Sequence, residues 1–250
     1  MHPKLLLSIL VLLILSAAGA AFLLRALTMN ENTNLKVISF QTSDGVNISA
    51  DFWSGTNGSA VVLAHMLSRD RGVWGDFPMK LQEKGYTVLN LDLRGHGKSI
   101  TQNGQAIHYQ NFTDADFAKM PLDLAAAKKY LIATGIDPTK VSFIGASIGA
   151  NAALVAAAQD PQVRSTVLLS PGENYHGVQT FTAAHAYAGR PALIFSSSED
   201  LQSYQPSQQM THFIGPSAKF VGLTNAGHGT DMFDHDPNLE NQIISFLQTP

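Results

Sequence analysis

Residues 140–159 read Lys-Val-Ser-Phe-Ile-Gly-Ala-Ser-Ile-Gly-Ala-Asn-Ala-Ala-Leu-Val-Ala-Ala-Ala-Gln. Lys140 to Ile144 reads as a strand, short and rich in β-favouring side chains. Ile148 to Gln159 is alanine-rich and reads as a helix. Between them Gly145-Ala146-Ser147-Ile148-Gly149 fits the pattern G-x-S-x-G. Small flanking residues permit a tight strand-to-helix turn, which strains the serine backbone and projects its Oγ above the sheet. The helix N-terminus supplies free N–H groups and a positive dipole end, suited to an oxyanion. The competing reading is a small-residue turn that merely lets helix and sheet pack closely.

Outward from this turn, strands and helices alternate. Leu35 to Gln41 and Val46 to Phe52 flank Ser43-Asp44-Gly45 and read as a hairpin. Ser59 to His65, Tyr86 to Asp92, Val163 to Ser170, Pro191 to Ser196 and Ala218 to Leu223 read as further strands. The first of these is SAVVLAH, an apolar run typical of a strand buried on both faces. Helices are predicted over Val73 to Lys84, Ala115 to Thr134, Pro206 to Ile214 and Asn238 to Leu247, and a loop over Leu93 to about Asp114. This order demands crossover connections and a mostly parallel central sheet with helices on both faces, an α/β domain. Pro171 to Arg190 is too short for a large lid. Asp123 reads as a solvated or capping residue on a helix face.

Composition narrows the function. Of 250 residues, 45% are hydrophobic and 14% charged, with a net charge of −3. That excludes a disordered chain, and the absence of a basic excess argues against nucleic-acid binding. With no cysteine there is no disulfide framework, thiolate metal site or cysteine nucleophile. Part of the low charge is local, since Leu5 to Leu24 is twenty residues without a charge. A helix of that length spans about 30 Å, the thickness of a bilayer core. Ala18-Gly19-Ala20 also matches a leader-peptide cleavage site. Residues 1–30 therefore read as a cleaved signal peptide or a retained N-terminal anchor. The domain at 31–250 is then extracytoplasmic, meeting the membrane only through an uncleaved segment.

The serine at position 147 needs a base and an acid. His228, in Asn225-Ala226-Gly227-His228-Gly229, follows a strand and is flanked by glycines that let a loop hold its ring over the sheet edge. Asp200 ends the strand that begins at Pro191, with Glu199 beside it as the alternative acid. The order Ser147, Asp200, His228 is the Ser…Asp…His order of a nucleophile, orienting acid and base on such a sheet.

These motifs resemble the α/β-hydrolase superfamily, particularly its small lidless serine esterases and dienelactone-hydrolase-like members. The resemblance runs from about Leu35 to Leu247. It rests on His65-Met66, Asp92-Leu93-Arg94-Gly95-His96-Gly97-Lys98-Ser99, the serine turn and Gly227-His228. It implies an α/β-hydrolase fold without a large lid and an oxyanion hole from the backbone N–H groups of Met66 and Ile148. Met66 departs from the family's usual glycine there, and its side chain either narrows the acyl pocket or points away and packs in the core. In the family pattern P-x-L-x-x-x-G-x-x-D, Ser197 replaces the glycine, a departure that leaves room for Glu199 as the acid. His65, Asp92, Arg94 and His96 read as loop scaffolding. The implied activity is cleavage of carboxylic esters with small or accessible acyl groups through an acyl-enzyme on Ser147, with no cofactor and no metal. Thioester or amide cleavage, acyl transfer, and a non-catalytic binding module are the rivals. Met66 and Tyr175 to Tyr187 are expected to line the acyl or alcohol pocket.

Overall fold

The computed structural model describes residues 35–249. The Leu5 to Leu24 segment, and with it the leader or anchor reading, lies outside the described residues. Among those residues no helix is long and apolar enough to cross a membrane.

The strands are β1 (Leu35–Gln41), β2 (Val46–Trp53), β3 (Ala60–Ala64), β4 (Thr87–Leu91), β5 (Val141–Ala146), β6 (Thr166–Leu169), β7 (Ala192–Ser197) and β8 (Ala218–Leu223). The main helices are α1 (Phe77–Glu83), α2 (Pro121–Ala133), α3 (Ile148–Gln159), α4 (Phe181–Ala186), α5 (Leu201–Ile214) and α6 (Leu239–Gln248). The sheet order is β8-β7-β6-β5-β3-β4-β2, with β1 paired to β2 and two short strands extending the β2 edge. β3 to β8 run parallel, while β2 is antiparallel to β1 and β4. This is the expected mostly parallel sheet, entered through a hairpin.

Every residue of β3, β4, β5 and β7 is buried. Successive side chains alternate faces, so a strand buried on both, such as β3 with its run AVVLA, is continuously apolar. In β3, Val62 joins a core with Leu124 and Leu131 of α2 and Leu154 of α3. Its neighbours Val61 and Leu63 join Trp74, Phe77, Leu81 and Ile243 in a second core containing residues of α1 and α6. One strand thus feeds both layers, and a polar residue on either side would enter a hydrophobic interior.

Several boundaries differ from the sequence reading. The helix expected over Val73 to Lys84 is divided into a 3₁₀ turn at Arg71–Trp74 and α1. Gly75 lies between them at φ 52° and ψ −127°, a conformation that cannot continue a helix. The helix expected over Ala115 to Thr134 is likewise interrupted, and Pro121, which lacks an N–H, opens α2 at its N-terminal turn. α5 begins at Leu201 rather than Pro206, so the proline is inside the helix instead of starting it. That change matters, because it sets the first turn of α5 directly behind Asp200. Residues 171–190 hold a small hairpin, Asn174–Tyr175 with Val178–Gln179, and α4.

Asp123 is not solvated. It is fully buried and paired with Arg94 at 2.8 Å, and Arg94 also reaches Asp44 at 2.8 Å. Burial pushes the Asp123 carboxyl up to about 6, against the opposing pull of Arg94. Asp92 accepts hydrogen bonds from Arg71 N, Arg71 Nη1 and Lys98 N, at 2.9, 2.7 and 2.8 Å. These contacts fix the loop after β4 to α2 and to the β1–β2 turn.

Candidate active site

Ser147 lies at the junction of β5 and α3 with φ 54° and ψ −122°. A non-glycine residue in that region stores about 1–3 kcal/mol of strain, so the surroundings must impose it. They do so through the two flanking glycines. A Cβ on Gly145 would collide with the Gly149 carbonyl, and one on Gly149 with the carbonyls of Ala64 and His65. Ser147 N–H donates to Leu169 O at 2.8 Å, tying the turn to β6. The Ser147 side chain makes no cap to α3, and the residue is 7% exposed.

His228 sits between two glycines whose φ values are 78° and 61°, which lets the loop double back over the sheet. Its Nδ1 and Asp200 Oδ2 are 2.6 Å apart. The same Oδ2 accepts the Ser203 hydroxyl proton at 2.6 Å. Ser203 Oγ is in turn 2.9 Å from Tyr175 OH. Because Ser203 spends its only proton on Asp200, Tyr175 is the donor of that contact. Burial works to raise the Asp200 pKa, but the hydrogen bonds from His228 and Ser203 win and hold it below its usual value. The carboxylate is therefore ionised at neutral pH, as a partner for an imidazolium must be. Among the described residues no hydrogen bond joins Glu199 to the His228 ring; its hydrogen bonds go to Ser197, Asn225 and Gly227.

The loop after His228 leads back to the serine turn. Gly229 N–H donates to Ser170 Oγ at 2.9 Å, at the end of β6. A Cβ on Gly229 would meet Met66 Sδ at 2.9 Å and Ala146 Cβ at 3.5 Å. The residue after His228 thus abuts the residue before Ser147. Asp200 and His228 are in direct contact, whereas no hydrogen bond joins Ser147 Oγ to His228 among the described residues. Such bonds are often long in unliganded hydrolases and tighten with substrate.

The Met66 and Ile148 N–H groups find no acceptor among the described residues. Two donors are therefore free beside the strained serine. The Met66 side chain is buried, with its sulfur against Gly229 and 3.9 Å from Thr230 Oγ1. It underlies the loop that carries His228. His65 fixes the Met66 peptide: its Nδ1 is 2.8 Å from Met66 O, and Leu93 N–H donates to its Nε2 at 3.0 Å. Those partners require a neutral ring with the proton on Nδ1. Burial, reinforced by the nearby His96, pushes the His65 pKa down to about 3.

This burial has a consequence for stability. A histidine near 6.5 when unfolded and near 3 when folded binds more protons unfolded, so stability rises with pH through that window. Unfolding free energy is therefore expected to fall by about 2 kcal/mol from pH 7 to pH 5 on account of His65. Urea unfolding at both pH values checks this, with His65→Gln expected to flatten the dependence by that amount. Equal pH dependence in the two proteins would remove His65 as its source.

Comparison with known proteins places this geometry. The sequence model of the serine aminopeptidase S33 hydrolases matches residues 55–213. The chain belongs to the serine aminopeptidase S33 family. The uncharacterized protein Rv2307c of Mycobacterium tuberculosis is 22% identical over 225 residues, covering 80% of this chain and 72% of that protein. The polyketide transferase claH of Penicillium crustosum is 30% identical over 146 residues, covering 55% of this chain and 44% of its own. Among solved structures, the Pyrococcus furiosus esterase Pf2001 superposes with a TM-score of 0.69 at 19% identity, covering 86% of this chain and 90% of its own. The esterase EaEST from Exiguobacterium antarcticum gives 0.67 at 14% identity, covering 86% and 100%. At such identities the structural likeness establishes the α/β-hydrolase fold.

Within this S33 member some site residues escaped the sequence reading. Ser203 was hidden because α5 was expected to start beyond it; with the helix beginning at Leu201, Ser203 falls three residues after Asp200, in the first turn. Ser170, which follows β6 with φ 50°, carried no motif. Of the expected pocket residues, Tyr175 lies edge-on to His228 with ring centroids 6.2 Å apart. Tyr187, at the other end of that stretch, is inside the fold. It is fully buried, and its hydroxyl donates to Pro191 O at 2.8 Å.

Proposed function

We propose that the chain is a serine hydrolase of carboxylic esters with small or accessible acyl groups. The observation that carries this reading is the Asp200–His228 pair, held by glycines beside a strained Ser147. His228 Nε2 accepts the Ser147 proton as Oγ attacks the acyl carbonyl. The Met66 and Ile148 N–H groups receive the oxygen as its charge develops, where fixed donors are most effective. The imidazolium, steadied by Asp200, returns the proton to the departing alcohol. Water then attacks the acyl-enzyme by the same steps in reverse roles, and releases the acid.

Acyl transfer to another acceptor is a second reading, favoured by the partial similarity to a polyketide transferase. Both readings share one acyl-enzyme and differ in what attacks it. The test compares p-nitrophenyl esters of increasing chain length, thioesters and aminoacyl amides, with and without added alcohols. Short esters are expected to turn over fastest, with a free acid as product. Preferred turnover of amides, or product appearing only with an added acceptor, would overturn the esterase reading.

A further inference from the structure

We infer that Glu199 is a positioning residue, whose carboxylate clamps the turn leading into His228 and so sets the base against Asp200 and Ser147. The inference deepens the ester-hydrolase reading and rests on it. Glu199 Oε2 accepts Asn225 N–H at 2.9 Å, and Oε1 accepts Gly227 N–H at 3.0 Å. Oε1 also accepts the Ser197 hydroxyl at 2.6 Å, and Ser197 Oγ accepts Ala226 N–H at 2.9 Å. The three consecutive N–H groups of residues 225–227 are thus satisfied by two side chains from the end of β7. Asn225 and Gly227 have φ values of 52° and 78°. Such a turn points its N–H groups into one concavity, which suits an anion.

A carboxylate free in solvent would serve only solubility. Here it is exposed at one side and fully engaged at the other. The division of labour follows from strand direction. Ser197 and Glu199 hold the backbone before His228, while Asp200 holds the ring. Among the described residues those N–H groups have no other acceptor, so without the clamp a turn with two left-handed residues loosens and the base at its end is free to drift. The Ser197 and Gly227 hydrogen bonds hold the Glu199 carboxyl down at about 2. With the folded value depressed, the clamp is present above the usual carboxylate range and is lost only as pH falls toward 2.

The test uses the full chain with Glu199→Ala and Glu199→Gln and two separate readouts. Amide hydrogen exchange, read by NMR, is expected to accelerate by about tenfold or more at Asn225 and Gly227 in Glu199→Ala, with the β5 and β7 amides unchanged. Turnover of p-nitrophenyl acetate is expected to lose about ten- to a hundredfold in kcat with KM within about twofold, the cost of a misplaced base. Glu199→Gln keeps one acceptor oxygen and is expected to recover part of the loss. Unchanged exchange at the two amides, wild-type kcat, or an effect confined to KM would each overturn the inference. If the wild-type chain turns over no acyl substrate, the ester-hydrolase reading fails and the catalytic part of this one with it. The exchange arm still decides whether the clamp exists.

Discussion

Ser147→Ala is expected to abolish covalent labelling by a fluorophosphonate probe and to lower kcat by about 10⁴- to 10⁶-fold. The size follows from what remains. The Met66 and Ile148 donors and the binding surface survive the substitution, so residual rate over water persists. No acyl-enzyme can form, however, and water must attack without the covalent stage. The substitution is clean, because alanine occupies the φ 54° conformation at about the same cost as serine and the Ser147 side chain makes no cap that would be lost. Thermal unfolding is therefore expected to be nearly unchanged. Mass spectrometry of the labelled protein and steady-state kinetics on one ester check both halves. Equal labelling of the variant would place the nucleophile elsewhere. A folded wild-type chain that neither labels nor turns over any acyl substrate would favour the binding-module reading.

What the sequence made legible follows from the range of the interactions involved. The strand–turn–helix at 140–159 is local, and G-x-S-x-G allows few conformations, so the strained serine could be expected before any coordinates. The parallel sheet was legible because β3 is buried on both faces and shows it as an apolar run. Asp123 was misread because its partner Arg94 is 29 residues away on a loop, and no local pattern marks a buried carboxylate. The helix boundaries moved for covalent reasons: Gly75 breaks one helix and Pro121 opens another, whereas Pro206, read as a start, sits inside α5. The choice between Glu199 and Asp200 stayed open because neighbouring carboxylates at a strand end diverge only through tertiary contacts. Ser197 in place of the family's glycine widened that doubt. In the structure its hydroxyl is bonded to both Glu199 and the 226 amide, so the departure belongs to the same clamp.

The sharpest separation of the two carboxylates comes from Asp200→Asn, which is expected to lower kcat by about 10⁴-fold with little change in fold. In the wild-type chain Oδ2 receives both the His228 Nδ1–H and the Ser203 hydroxyl. That pairing keeps the ring proton on Nδ1 and leaves Nε2 bare, as the proposed proton transfer from Ser147 requires. An asparagine sets either its NH₂ group or its oxygen where Oδ2 stood. If the NH₂ takes that place, it faces His228 and forces the proton onto Nε2, where it blocks the base, and Ser203 loses its acceptor. If the oxygen takes that place, the tautomer and the Ser203 contact survive but the negative charge opposite the imidazolium is gone. Either arrangement removes stabilisation that exists only as the imidazole takes on a proton, so the loss belongs in kcat rather than KM. Glu199→Gln leaves that charge and tautomer in place and is expected to cost at least tenfold less than Asp200→Asn. Kinetics of the two variants on the same ester decide the matter. A larger loss in Glu199→Gln than in Asp200→Asn would exchange their roles, making Glu199 the acid and the 2.6 Å pair of Asp200 with His228 a structural contact.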